Sequence, residues 1–137
     1  MTVEISSTVL AAIEAEAAAS PGHEICGLLF GESGRIAAHR SCRNVADRPA
    51  DSFEIDPAAL IAAYRSERAG GAAIAGCYHS HPSGDTMPSG RDAAAAQADH
   101  WLWLIVAPGA IGLYRAVERG AIHGCFDSVD YRAAPDG

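Results

Sequence analysis

Lysine is absent from this chain of 137 residues: all 10 basic residues are arginine, scattered from Arg35 to Arg132. Against 17 acidic residues they leave a formal charge of −7. A nucleic-acid footprint needs positive charge gathered on one surface, so that class of partner is not expected. Long apolar runs are missing as well. None exceeds the seven residues of Trp101 to Ala107, a run that stops at Pro108, far short of the ~18 that span a bilayer. No membrane partner is expected either. Nothing basic precedes Arg35, so the N-terminus lacks the charged start of a secretory signal. Cys26, Cys42, Cys77 and Cys125 never form a C-x-x-C pair, and a chain of this length can bury a core without disulfides. Free thiols and a cytoplasmic location are the expectation. Nothing in the pattern bears on oligomeric state.

What is present has globular proportions: 49% apolar and 20% charged residues. Ser6 or Ser7 can cap a helix over about 8–19, with Val9, Ile13 and Ala17 on one face and Ser20-Pro21-Gly22 as its stop. Glu24 to Phe30 reads as a buried strand, turned by Gly31 to Gly34 into a second one that ends near Ser41. The stretch from Asn44 to Ser52 is polar and irregular, and Phe53-Glu54-Ile55 alternates like a short strand. Asp56-Pro57 supplies an N-cap and an N1 proline for a helix to about Ala69, with Leu60 and Tyr64 spaced i, i+4. A strand over Ile74 to His81 precedes a Pro/Ser/Gly loop, and Ser89 opens a helix to about Asp99. Trp101 to Ala107, Ala110 to Val117 and Ala121 to Phe126 complete an antiparallel meander. The expectation is one α/β domain over residues 1–137, with helices packed on the sheet.

The chemistry concentrates in three places. His79-Ser80-His81 puts two imidazoles at i, i+2, which on a strand project from one face together with Cys77. Two neutral imidazoles at a strand end make two corners of a divalent metal site, although solvated surface histidines give the same pattern. Ser89-x-x-Asp92 before an alanine run is a capping-box pattern. The return from His81 is also long enough to bring the Asp92 carboxylate over the histidines as a third ligand, and the two uses of Asp92 are hard to combine. Glu24 stands at the entrance of an apolar strand. It is either a hydrated strand end or a general base within reach of the site.

Together, His79-x-His81-Pro82, the six residues to Ser89 and the two to Asp92 resemble the signature of JAMM-type (MPN+) metalloproteases. Glu24-Ile25-Cys26-Gly27-Leu28-Leu29-Phe30-Gly31 is similar to that family's glutamate-bearing strand, and the Asn44, Phe53, Ile55, Asp56, Pro57 pattern resembles its small members. The resemblance is strongest over 4–117. It implies a curved mixed β-sheet flanked by helices, with a layering like that of cytidine deaminases. It implies a Zn2+ cofactor held by His79, His81 and Asp92, Glu24 as general base, and Ser89 as donor to the oxyanion. It also implies hydrolysis of a peptide or isopeptide bond after the C-terminal tail of a ubiquitin-like or sulfur-carrier protein.

Two other classes compete. A non-catalytic MPN scaffold that binds partners through the same fold would usually lack one of these residues. A zinc deaminase would need H-x-E and P-C-x-x-C, and neither occurs. Cys77 could sit beneath the metal or in the core, and Cys26 could be a nucleophile, though no partner for it is legible. His23, His39, His100 and His123 show no site spacing, and Trp101, Trp103 and Tyr114 alternate as packing residues do.

Overall fold

The structure, a computed structural model, describes residues 2–136. Its elements in chain order are β1 (Thr2–Ser6), α1 (Ser7–Ala18), β2 (Cys26–Phe30), β3 (Arg35–Ile36), β4 (Ala38–Cys42) and α2 (Pro57–Arg68). These are followed by β5 (Ile74–Ser80), α3 (Gly90–Ala95), β6 (Leu102–Ala107), β7 (Ala110–Gly120), β8 (Gly124–Ser128) and β9 (Asp130–Ala134). Six strands form a mixed sheet in the order β4-β2-β5-β6-β7-β8. Only β5 and β6 run parallel in it, because the chain between them crosses over through α3. Both strands are buried on two faces, as their nearly continuous apolar sequence requires.

The α/β class and the flanking helices are as expected, but the strands divide into two sheets. β1 pairs in parallel with β3 and with β9, forming a second sheet of order β3-β1-β9. Val3 and Ile5 of β1 are fully buried, and Arg132 of β9 pairs with Glu4 at 2.6 Å. Neither strand was anticipated, since a parallel strand takes its partner from distant sequence. Phe53-Glu54-Ile55 forms no strand; a single bridge joins Asn44 and Ile55. α3 stops well short of Asp99, where Ala98 and His100 take left-handed backbone conformations (φ 50° and 66°).

The large sheet separates two apolar layers. One contains Val9, Leu10 and Ile13 of α1 packed with Val3, Ile5, Tyr78 and Leu104. The other contains Ala63 of α2 with Cys77, Trp103, Ile105 and Phe126. Strand alternation sends Tyr78 to the first layer and Cys77 to the second. Tyr78 locks α1 in place, donating from its hydroxyl to Glu16 at 2.8 Å. Gly27 makes room for that ring, since a Cβ there would lie 2.4 Å from it. The caps act as expected: Ser6 accepts from the Val9 N–H and Asp56 from the Ala58 N–H. In α2, Tyr64 is exposed and Ala63 is buried instead.

Candidate active site

The site forms where β5 ends, beside the start of β2 and the N-terminus of α3. Cys26 pairs across the sheet with His79. One step on, the Ser80 hydroxyl accepts the Ile25 N–H at 2.9 Å, and the Ser80 N–H reaches the Ile25 carbonyl. Continuing that antiparallel register sets Glu24 opposite His81. Glu24, His79 and Asp92 are all buried, in a protein whose remaining acids are mostly exposed.

Three contacts join the polar groups. The two Nε2 atoms of His79 and His81 lie 3.1 Å apart. His79 Nε2 is 3.1 Å from Asp92 Oδ1, and His81 Nε2 is 3.2 Å from Asp92 Oδ2. Among the described residues, this trio is the group of metal-ligating side chains whose donor atoms converge. Its chemistry fits a metal. His81 donates its Nδ1 proton to the Asp85 carbonyl at 2.8 Å, so in the neutral ring Nε2 offers a lone pair to the centre. The separations also match the edges of about 3.3 Å in a tetrahedron whose ligand bonds are about 2.0 Å, the length of imidazole and carboxylate bonds to a first-row divalent ion. His79 Nδ1 has no partner among the described residues. The ring is held by packing instead, stacked on Phe53 at 4.2 Å and edge-on to Trp103 at 5.8 Å.

Electrostatics sort these groups. Burial pushes the Glu24 carboxyl up to about 7, with the Asp92 and Asp51 charges adding to it and His81 opposing. Its Oε1 is buried without a hydrogen-bond partner among the described residues. A carboxyl that titrates near neutrality, with one oxygen unpartnered among the described residues, has the properties a general base needs. Burial also works against the Asp92 charge, but hydrogen bonds from His79 and His81 hold it well below the usual carboxylate range. His79 is lowered by burial, despite Asp92. For His81, burial pulls downward and is outweighed by Asp92, the Asp85 carbonyl and Glu24, so its affinity for a proton rises.

The family model described as prokaryotic homologs of the JAB domain matches residues 6–119. The chain belongs to this family. With it, the chain joins the JAMM-type hydrolases that act on peptide or isopeptide bonds. It is 30% identical over 110 residues to a desampylase of Haloferax volcanii, an alignment covering 79% of each chain. A desampylase of Pyrococcus furiosus is 34% identical over 83 residues, covering 61% of this chain and 59% of the relative. In fold, the chain is similar to the solution structure of a Desulfitobacterium hafniense protein, with a TM-score of 0.83 over 98% of this chain and 94% of that one, at 20% identity.

In this JAB domain one Asp92 carboxylate both closes the capping box and faces the two histidines, a combination the sequence made look difficult. The Ser89 hydroxyl accepts the Asp92 N–H at 3.0 Å, and the Ser89 N–H donates to Asp92 Oδ2 at 2.9 Å. The capping box therefore aims the carboxylate at the histidines. The Ser89 hydroxyl serves there as an acceptor, so its proton is uncommitted within the box. Cys77 is buried core, next to the site but outside the converging group. Burial pushes the Cys26 thiol up to about 12, which works against forming the thiolate a nucleophile needs. Trp103 and Tyr114 are buried, as packing residues should be.

Several supporting residues escaped the sequence reading. Tyr114 donates to the Thr86 carbonyl at 2.7 Å, and His123 donates to the Pro88 carbonyl at 2.9 Å. Both fasten the loop from His81 to Ser89. Phe53, legible in sequence only as part of a short strand and of a family pattern, covers His79. No spacing rule could have revealed these contacts, because each joins elements distant in sequence.

Proposed function

We propose that this JAB domain is a zinc-dependent peptidase or isopeptidase that cuts after the C-terminal tail of a ubiquitin-like or sulfur-carrier protein. The observation that carries the reading is the convergence of His79, His81 and Asp92 beside the buried, unpartnered Oε1 of Glu24. Relatives named desampylase support a ubiquitin-like modifier as the substrate class. His79, His81 and Asp92 would hold the zinc ion. Bound there, zinc supplies Lewis acidity toward a water molecule and the scissile carbonyl. Glu24 takes the proton of the attacking water and hands it to the departing amine. The Ser89 hydroxyl donates to the oxyanion, a contribution of about 3 kcal/mol where such donors have been removed. The free thiols suit a cytoplasmic setting.

The test is mass spectrometry of carrier proteins extended beyond a Gly-Gly tail, incubated with zinc-loaded protein. Cleavage after the second glycine is expected from the wild type and not from Glu24→Gln. A carrier that binds without being cleaved would make the chain a scaffold and overturn the catalytic reading.

A further inference from the structure

We infer that Asn44 is a positioning residue that sets Glu24 and Phe53 together, tying the carboxylate side of the site to the ring that covers His79. Its carboxamide uses every hydrogen-bonding position it has. Nδ2 donates to the Glu24 carbonyl at 2.9 Å and to the Ser52 carbonyl at 3.1 Å. Oδ1 accepts from the N–H groups of Ala46 and Glu54, both at 3.0 Å. Ser52 and Glu54 flank Phe53, so one side chain fixes the backbone on both sides of that ring. The ring lies 4.2 Å from the His79 imidazole, tilted by 18°.

The segment needs such a fastening. Between β4 and α2 the chain makes no strand ladder, only the bridge between Asn44 and Ile55. Its backbone groups turn to a side chain instead, as asparagine allows. Glu24 is held from the same segment a second time, its N–H donating to the Pro49 carbonyl at 2.7 Å. A shift of this segment would therefore move the Glu24 carboxylate and the cover of His79 in one motion.

The experiment uses the full chain with Asn44→Ala and Asn44→Asp. The second variant keeps the acceptor for Ala46 and Glu54 but loses both donors. In metal-free protein, NMR reads the His79 ring protons, which the stacked Phe53 face shields. In both variants they are expected to move toward the positions they take in Phe53→Leu. In zinc-loaded protein, kcat on a carrier fusion is expected to fall about 100-fold with KM within about 2-fold, the pattern of a displaced group. Asn44→Asp decides the matter if Asn44→Ala does not fold. Unmoved His79 signals overturn the inference, as does an unchanged kcat in a folded, active variant. The hydrolysis arm rests on the function proposed above. If wild-type protein cleaves no carrier, that function fails, and the His79 signals still decide the role of Asn44.

Discussion

Ser89 and Asp92 hold each other twice, hydroxyl to N–H at 3.0 Å and carboxylate to N–H at 2.9 Å. The same carboxylate meets His79 and His81, so the helix cap and the contacts to both imidazoles share one side chain. Changes at Asp92 should separate these roles. Asp92→Asn keeps an acceptor for the Ser89 N–H and with it the cap, but it gives up the charge that His79 and His81 stabilise, so the metal-free protein should melt below wild type at neutral pH. Without the charge it should retain much less zinc through gel filtration. Asp92→Ala should lose the zinc and a further ~1 kcal/mol of stability with the cap. Full zinc content in both variants, by elemental analysis, would remove Asp92 from the ligand set.

Ser89→Ala tests the other half of the box. Loss of the cap should cost about 1 kcal/mol. Loss of the oxyanion donor should lower kcat about 100-fold while KM stays nearly constant. Equal zinc content in variant and wild type is the required control. A kcat unchanged in the loaded variant would leave Ser89 with the cap alone.

The thiols should divide by burial. Cys42 and Cys125 are half-buried, whereas Cys26 and Cys77 are buried and burial raises both of their thiols. Native alkylation followed by peptide mass spectrometry should label the first pair and spare the second. Hydrolysis should survive alkylation and stop on chelation. The reverse pattern would bring Cys26 back as a nucleophile.

The parts of the site legible in the sequence are those set by local geometry. Period-two alternation puts His79 and His81 on one face, and the Ser89-x-x-Asp92 spacing fixes a cap whose acid turns inward. Glu24 was visible because a carboxylate at the mouth of an apolar strand is out of place. Asn44 and Phe53 were visible only as pattern, since their partners are set by tertiary packing. β1 was missed because Val3 and Ile5 offer just two alternating positions before Ser6 begins the helix. β9, with only Ala134 buried, has no apolar pattern and exists through its pairing with β1.

The length of α3 shows the same limit. Ala93 to Ala96 are good helix formers, yet the helix ends there and Ala98 adopts φ 50°. That conformation costs a residue with a Cβ about 1–2 kcal/mol, part of which glycine returns through its freer unfolded chain. Ala98→Gly should therefore stabilise the protein by about 0.5–1 kcal/mol in urea unfolding. A destabilised variant would show that Ala98 contributes packing worth more than the strain.

Glu24 gives the sharpest pH signature. An unfolded glutamate ionises near 4.5, whereas burial raises Glu24 to about 7. Between those values the folded, metal-free chain keeps a proton that the unfolded chain has released. Stability from this group is thus fully present below about pH 4.5, declines as pH rises toward 7, and levels off above it. Glutamine has no proton to lose, so Glu24→Gln escapes this decline. The melting temperature of the chelated variant should rise relative to wild type between pH 4.5 and 7, by an amount corresponding to roughly 1–2 kcal/mol. A gap that stays flat across that range would mean that Glu24 is hydrated, and its role as a buried base would fall with it. Zinc-loaded Glu24→Gln should still carry the metal, because none of the three converging ligands has changed. Its hydrolysis should drop by about 100- to 10,000-fold, the usual worth of a positioned base.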